Sequence, residues 1–172
     1  DKAPLPSFIT LPFFGILKWL GIVKPIEGSY YGKAIYITGA IVCGIIPFLL
    51  MLFYVAKSLI KKQRKELVLM AFVAYFSSFI FVFAGTFFAH VLAASLLLMA
   101  YIQYQDNKYY LAGLLCGLGF LTEYTTLWII FSWLLIELFK NKSIKNSIQL
   151  ALGFSPALLV ILSYNFYFTG SP

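Results

Sequence analysis

From Leu67 to Gln105 the chain reads LVLMAFVAYFSSFIFVFAGTFFAHVLAASLLLMAYIQYQ, without one Asp, Glu, Lys or Arg. As a single helix rising ~1.5 Å per residue this stretch would measure roughly 58 Å, about twice the ~30 Å of hydrocarbon in a bilayer. It therefore predicts a hairpin of two membrane segments. The turn is expected at Gly85-Thr86, just before His90.

The flanks follow the same logic. Upstream, Ala34–Ala56 is an uncharged run long enough for one span, and Gly39, Gly44 and Pro47 within it suit a closely packed, kinked membrane helix. Between the two runs lies Lys57-Ser58-Leu59-Ile60-Lys61-Lys62-Gln63-Arg64-Lys65-Glu66, the most basic segment of the chain. Cytoplasmic loops carry such an excess of Lys and Arg, which places this segment in the cytoplasm. Downstream, the short Asp106-Asn107-Lys108 loop returns to the same side.

The stretch Tyr109–Phe139 fits either one long tilted helix or two short ones reversing near Thr122-Glu123-Tyr124-Thr125. Charge parity chooses between them. With two helices, the loops at 57–65, 108 and 140–145 share one side and hold nine bases against four, namely Lys2, Lys18, Lys24 and Lys33. One helix would give six against seven and erase the positive-inside bias. A last segment, Ile148–Phe168, contains Pro156 and runs outward, bringing the expectation to six membrane segments.

Composition agrees. Of 172 residues 62% are hydrophobic, 19% aromatic and only 11% charged. A soluble domain carries roughly a quarter charged residues, because it must coat its surface with polar groups. The pattern excludes a soluble globular domain, a disordered tail and a disulfide-stapled secreted domain. The net charge of +7 sits in short clusters between apolar runs and forms no solvated stripe, so nucleic acid is not an expected partner. Cys43 and Cys116 lie in apolar runs without CxxC spacing and read as small buried residues. The ends, Asp1 without an initiator Met and Gly170-Ser171-Pro172 without a tail, read as those of an excerpt from a longer chain.

Ionisable residues inside membrane segments are costly, so each is a functional candidate. The topology sets Asp1, Lys2, His90 and Glu123 at the outer face, His90 and Glu123 at the tips of two successive hairpins. His90, the one histidine, suits acid–base work, phosphate or sugar binding, or metal ligation, and equally a wetted turn. Glu123 interrupts an otherwise apolar run. Asp1, His90 and Glu123 are ligand types that suit a divalent metal, though their spacing is not diagnostic. Glu137, one turn from Lys140, reads as a side chain snorkelling to the cytoplasmic surface. Walker, Rossmann, HExxH and GxSxG signatures are all missing from the sequence.

Three stretches carry a resemblance. Asp1-Lys2-Ala3-Pro4-Leu5-Pro6-Ser7, continuing to Leu11-Pro12, resembles the [D/E]-K-x-P-x motif of polytopic GT-C class glycosyltransferases, which include protein O-mannosyltransferases and the aminoarabinose transferase of lipid A. The segment from Tyr109 through Gly113, Gly117 and Gly119 to Thr122-Glu123-Tyr124 is similar to that family's glycine-spaced helix. Tyr164-Asn165 with Phe168-Thr169-Gly170-Ser171-Pro172 looks like its "yN…fGsP" segment. All three occur in family order.

The resemblance implies transfer of a sugar from a polyprenyl-phosphate carrier to an acceptor at the external face of a membrane, in a bacterial inner (plasma) membrane. It implies that Lys2 contacts the carrier phosphate and that Asp1 shapes the substrate site beside it. It also implies a catalytic carboxylate upstream of Asp1, outside this sequence. Two departures stand out. His90 occupies a place where the family often has Asp, and Glu123 one where it often has Lys. That exchange fits an ion pair with its signs reversed, or a different substrate.

The expected architecture is thus an all-α polytopic transmembrane bundle of about six segments with short outward-facing hairpins. Residues 1–32 form an external loop with an amphipathic interfacial helix, and residues 33–172 form the helical membrane domain. Membrane lipid and a polyprenyl-phosphate-linked sugar are the expected partners, with a divalent metal as a possible cofactor. Two readings of another class use the same residues. One is a transporter with His90 and Glu123 on a solute or proton path; the other is a non-catalytic membrane subunit.

Overall fold

A computed structural model describes residues 4–23 and 32–170. It is all-helical, with no strand among the described residues. In chain order the helices are α1 (Leu5–Trp19), α2 (Gly32–Lys61), α3 (Glu66–Phe76), α4 (Phe79–Ala84), α5 (Ala89–Gln105), α6 (Tyr109–Thr122), α7 (Leu127–Leu135) and α8 (Ile144–Thr169). The chain divides into two compact units, residues 4–95 and residues from 96 onward, and the division falls within α5.

In the first unit, α2 is interrupted by a π-helical turn at Ile41–Ile45, where the Ile46 amide reaches back to the Ile41 carbonyl. Pro47 follows immediately. A proline has no amide to give to the carbonyl four residues earlier, and shifting the hydrogen-bond register by one residue absorbs that loss. The turn also makes room for neighbours. A Cβ at Gly44 would collide with the Ala84 carbonyl oxygen at the end of α4, and one at Gly39 with the Phe87 ring. The Thr10 hydroxyl of α1 lies 3.5 Å from Cys43 Sγ, and that thiol donates to the Pro6 carbonyl at 3.8 Å. Helix α1 is therefore seated on the π turn by the face bearing Pro6 and Thr10, both buried.

The Phe48 ring of α2 meets Tyr75, Phe76 and Phe81 at centroid distances of 6.5, 5.4 and 5.9 Å. Since Phe48 lies upstream of the basic segment and Phe76 downstream of it, α2 and α3 run antiparallel. The uncharged stretch bends twice where a single turn was expected. Ser77 and Ser78 end α3, their hydroxyls donating to the Val73 and Tyr75 carbonyls at 2.7 and 2.8 Å. Such back-bonding competes with the helical amides and stops the helix. After the short α4, the turn at Gly85-Thr86 forms as the sequence predicts, with the Thr86 hydroxyl on the Phe83 carbonyl at 2.8 Å.

In the second unit, α6 and α8 approach backbone to backbone. A Cβ at Gly113 would strike the Leu150 carbonyl oxygen, and one at Gly153 the Tyr110 carbonyl oxygen. One at Gly117 would stand 2.9 Å from Ala157 Cβ. Contacts advance together along both helices, so α6 and α8 run parallel, and α7, which joins them in the chain, runs the opposite way. The spacing of small residues, Gly113-x-x-x-Gly117 on one helix and Gly153-x-x-x-Ala157 on the other, is what permits so close a seam. Pro156 would leave the Leu152 carbonyl without an amide, and the Ser155 hydroxyl fills that place at 2.9 Å. Cys43 and Cys116 are both buried free thiols, as their apolar surroundings predict.

Two apolar stretches are long enough to cross a membrane, Gly32–Lys61 and Ile144–Phe168, among the described residues. Large apolar side chains face outward along most helices. Trp19, Phe79, Phe139 and Leu69 are 84, 80, 77 and 74% exposed, and α3 buries none of its residues.

Candidate functional site

Asp1 and Lys2, the two residues of the DK motif, lie outside the described residues. Of the other sequence candidates, His90 belongs to the first unit and Glu123 to the second. His90 stands in the first turn of α5 with an exposed side chain. Its ring stacks on Phe88 at 6.1 Å with the planes 11° apart, and meets Phe83 edge-on at 5.9 Å. Two aromatic rings thus orient the imidazole.

Glu123 ends α6. Its backbone is extended, with φ −154° and ψ 116°, while its amide still donates to the Gly119 carbonyl at 2.8 Å. The Glu123 carbonyl in turn accepts from the Thr126 amide at 3.1 Å and the Thr126 hydroxyl at 2.9 Å. A 3-10 turn at Tyr124–Thr126 then starts α7. The stretch 109–139 is accordingly two helices, and Glu123 is the residue at which they part. Its side chain is half-buried. Among the described residues no three His, Cys, Asp or Glu side chains gather as a metal site would require.

Glu137 departs from the surface position that its spacing from Lys140 predicts. Its side chain does not snorkel: it is fully buried. After Leu135 the helix widens into a π turn, Ile136–Lys140, closed by the Asn141 amide on the Ile136 carbonyl at 3.0 Å. The wider turn swings Glu137 inward. There Oε1 accepts from the Tyr104 hydroxyl at 2.5 Å and from Asn141 Nδ2 at 2.7 Å, and Oε2 accepts from Asn146 Nδ2 at 2.9 Å. The Glu137 carbonyl takes the Ser143 amide at 2.8 Å, and Ser143 caps the start of α8 by accepting from the Asn146 amide at 3.4 Å.

The Tyr104 ring itself lies against Trp133 at 4.8 Å and meets Tyr109 edge-on at 5.5 Å. Burying an ionised carboxylate is costly unless hydrogen bonds replace its hydration, and here three donors do so. The sequence shows Glu137 near Lys140 but gives no sign that Tyr104, two helices earlier in the chain, covers it.

These contacts also fix the ends of the second unit. Glu137, at the close of α7, touches Tyr104 at the close of α5, and Tyr104 touches Tyr109 at the start of α6. The turns at 106–108 and 140–143 therefore lie at one end, with Lys108, Lys140, Lys142 and Lys145 around it, and the Glu123 turn lies at the other.

Between α7 and α8 runs an apolar groove of about 330 Å³. Trp128, Phe131, Leu134, Ala151, Phe154 and Leu158 line it. It offers hydrocarbon contacts and almost no polar group to direct chemistry. Comparison with protein families, curated proteins and solved structures finds no match for this chain.

Proposed function

We propose that this chain is the membrane-embedded part of a GT-C-like glycosyltransferase, which moves a sugar from a polyprenyl-phosphate carrier to an acceptor at the outer face of a bacterial inner membrane. The membrane half of this reading is supported by the outward apolar surface. Side chains such as Trp19, Leu69, Phe79 and Phe139 have no reason to face water, and exposed apolar surface of this amount marks a lipid or protein contact. In this reading α2, α3 with α4, α5, α6, α7 and α8 are six membrane segments. Helix α1 lies at the interface, with Trp19 and Lys18 at headgroup level. Segments as short as α6 and α7 are accommodated by local thinning of the bilayer and by packing against longer neighbours.

The transferase half rests on one observation, the ordered resemblance of Asp1-Lys2-Ala3-Pro4, of the glycine-spaced helix ending at Glu123, and of the Tyr164–Pro172 segment. The α6–α8 seam gives those glycines a packing role as well, so the weight falls on the DK motif. In the proposed step an acceptor hydroxyl attacks the anomeric carbon as the bond from that carbon to the carrier phosphate oxygen breaks. A carboxylate supplied by another part of the full protein takes the acceptor's proton, and the Lys2 ammonium stabilises the departing phosphate.

Lys2→Ala in the full-length protein, assayed for transfer from a polyprenyl-phosphate sugar, tests this. The expected outcome is a loss of turnover of at least about a hundredfold with the protein still inserted. Unchanged turnover and carrier affinity would remove Lys2 from the site.

A further inference from the structure

We propose that the corner joining α2 to α3 binds an anionic glycerophospholipid. Lys61, Lys62, Arg64 and Lys65 take its phosphate, and its acyl chains lie along the apolar walls of the hairpin. This assignment rests on the membrane half of the reading above and is independent of sugar transfer.

The corner gathers five bases between Lys57 and Lys65, with no acid before Glu66, and all five side chains are exposed. The turn has its own backbone closure. The last carbonyls of α2 are met by main-chain amides: Lys62 on Ser58 at 3.1 Å, Arg64 on Leu59 at 2.9 Å and Gln63 on Ile60 at 3.0 Å. Backbone closure of this kind does not call for a cluster of five bases, and such a cluster beside a membrane helix suits an anionic lipid surface.

The walls point the same way. Below the bases, α3 exposes Leu69, Met70 and Val73, and α2 exposes Leu50, Phe53 and Ile60. At the boundary, Lys57 Nζ lies 5.9 Å from the centre of the Phe53 ring, a cation resting on an apolar wall. A soluble anion would use the bases and have no use for the walls. A phospholipid uses both, and Arg64 can grip its phosphate through two N–H donors. The turn at 106–108 does not offer this combination, since its one base stands beside Asp106.

The test uses the full protein in nanodiscs of equal phosphatidylcholine and phosphatidylglycerol. Tightly retained lipid is identified by native mass spectrometry after mild delipidation. Each base near an anionic surface is worth about fivefold in affinity. Phosphatidylglycerol should be enriched in the wild type, and Lys61→Gln/Lys62→Gln/Arg64→Gln/Lys65→Gln should lower the enrichment by at least about tenfold. Lys61→Arg/Lys62→Arg/Lys65→Arg should keep it, as should Lys140→Gln/Lys142→Gln/Lys145→Gln. Equal retention of both lipids, or loss only in the Lys140 set, would overturn the assignment. Alkaline carbonate extraction of membranes separates the two ideas. A chain washed off overturns the membrane reading itself, whereas a retained chain without lipid preference overturns this site alone.

Discussion

The α2–α3 corner and the α7–α8 corner are both basic, yet they close by different means. At the first, main-chain amides cap the last carbonyls of α2, and the basic side chains are exposed. At the second, a π turn carries a carboxylate inward, and Tyr104, Asn141 and Asn146 converge on it from three places in the chain. A backbone-closed turn leaves its side chains open to change. A carboxylate-closed turn commits four side chains to one arrangement, because the buried carboxylate depends on all three donors in place of water.

The largest expected effect lies at the second corner. Glu137→Ala removes the buried carboxylate on which Tyr104, Asn141 and Asn146 converge, and should destabilise the protein by about 2 kcal/mol or more in detergent unfolding. If that variant unfolds at the wild-type midpoint, the distinction between the corners fails. Next comes Gly153→Ala in the seam that leads to this corner. Its methyl group would meet the Tyr110 carbonyl, at an expected cost of about 2 kcal/mol in the same measurement.

Smaller effects probe the turns themselves. Gln63 at the first corner and Lys142 at the second sit at φ 58° and 51°, a left-handed region that favours glycine. Gln63→Gly should stabilise by about 0.5 kcal/mol, and Lys142→Gly by a similar amount. A loss at Lys142 would show that its side chain takes part in the second closure. The smallest effect belongs to the quadruple glutamine variant of Lys61, Lys62, Arg64 and Lys65. In neutral detergent its stability should stay within about 0.5 kcal/mol of wild type. A larger drop would mean that these bases help to close the turn after all.

Much of the helical order was legible in advance because its signals are local. The excessive length of the uncharged stretch called for a reversal, Gly85-Thr86 offered the turn, and an acid in an apolar run marked the break at Glu123. The second break, at Ser77-Ser78, has no comparable signal in the sequence. Serines in apolar segments usually remain helical, and here the side chains' bonds to Val73 and Tyr75 end the helix. In the candidate site, His90 and Glu123 stand out in the sequence by their rarity and by their place at expected hairpin tips. The sequence sets Glu137 at the surface because proximity to Lys140 is visible in one dimension, whereas a cover of Tyr104, Asn141 and Asn146 is not.

By itself the sequence determined that the chain is helical, strongly apolar and segmented by its few charges, since hydrophobic run length and charge position are one-dimensional properties. Only the tertiary structure decided which polar groups are buried. The π turns at Ile41–Ile45 and Ile136–Lys140 widen the helix and shift the facing of the residues within them by a fraction of a turn. Such shifts select the face that meets a neighbour. That face brought Cys43 to Thr10 and Glu137 to Tyr104, contacts set by how helices pack and not by any local preference.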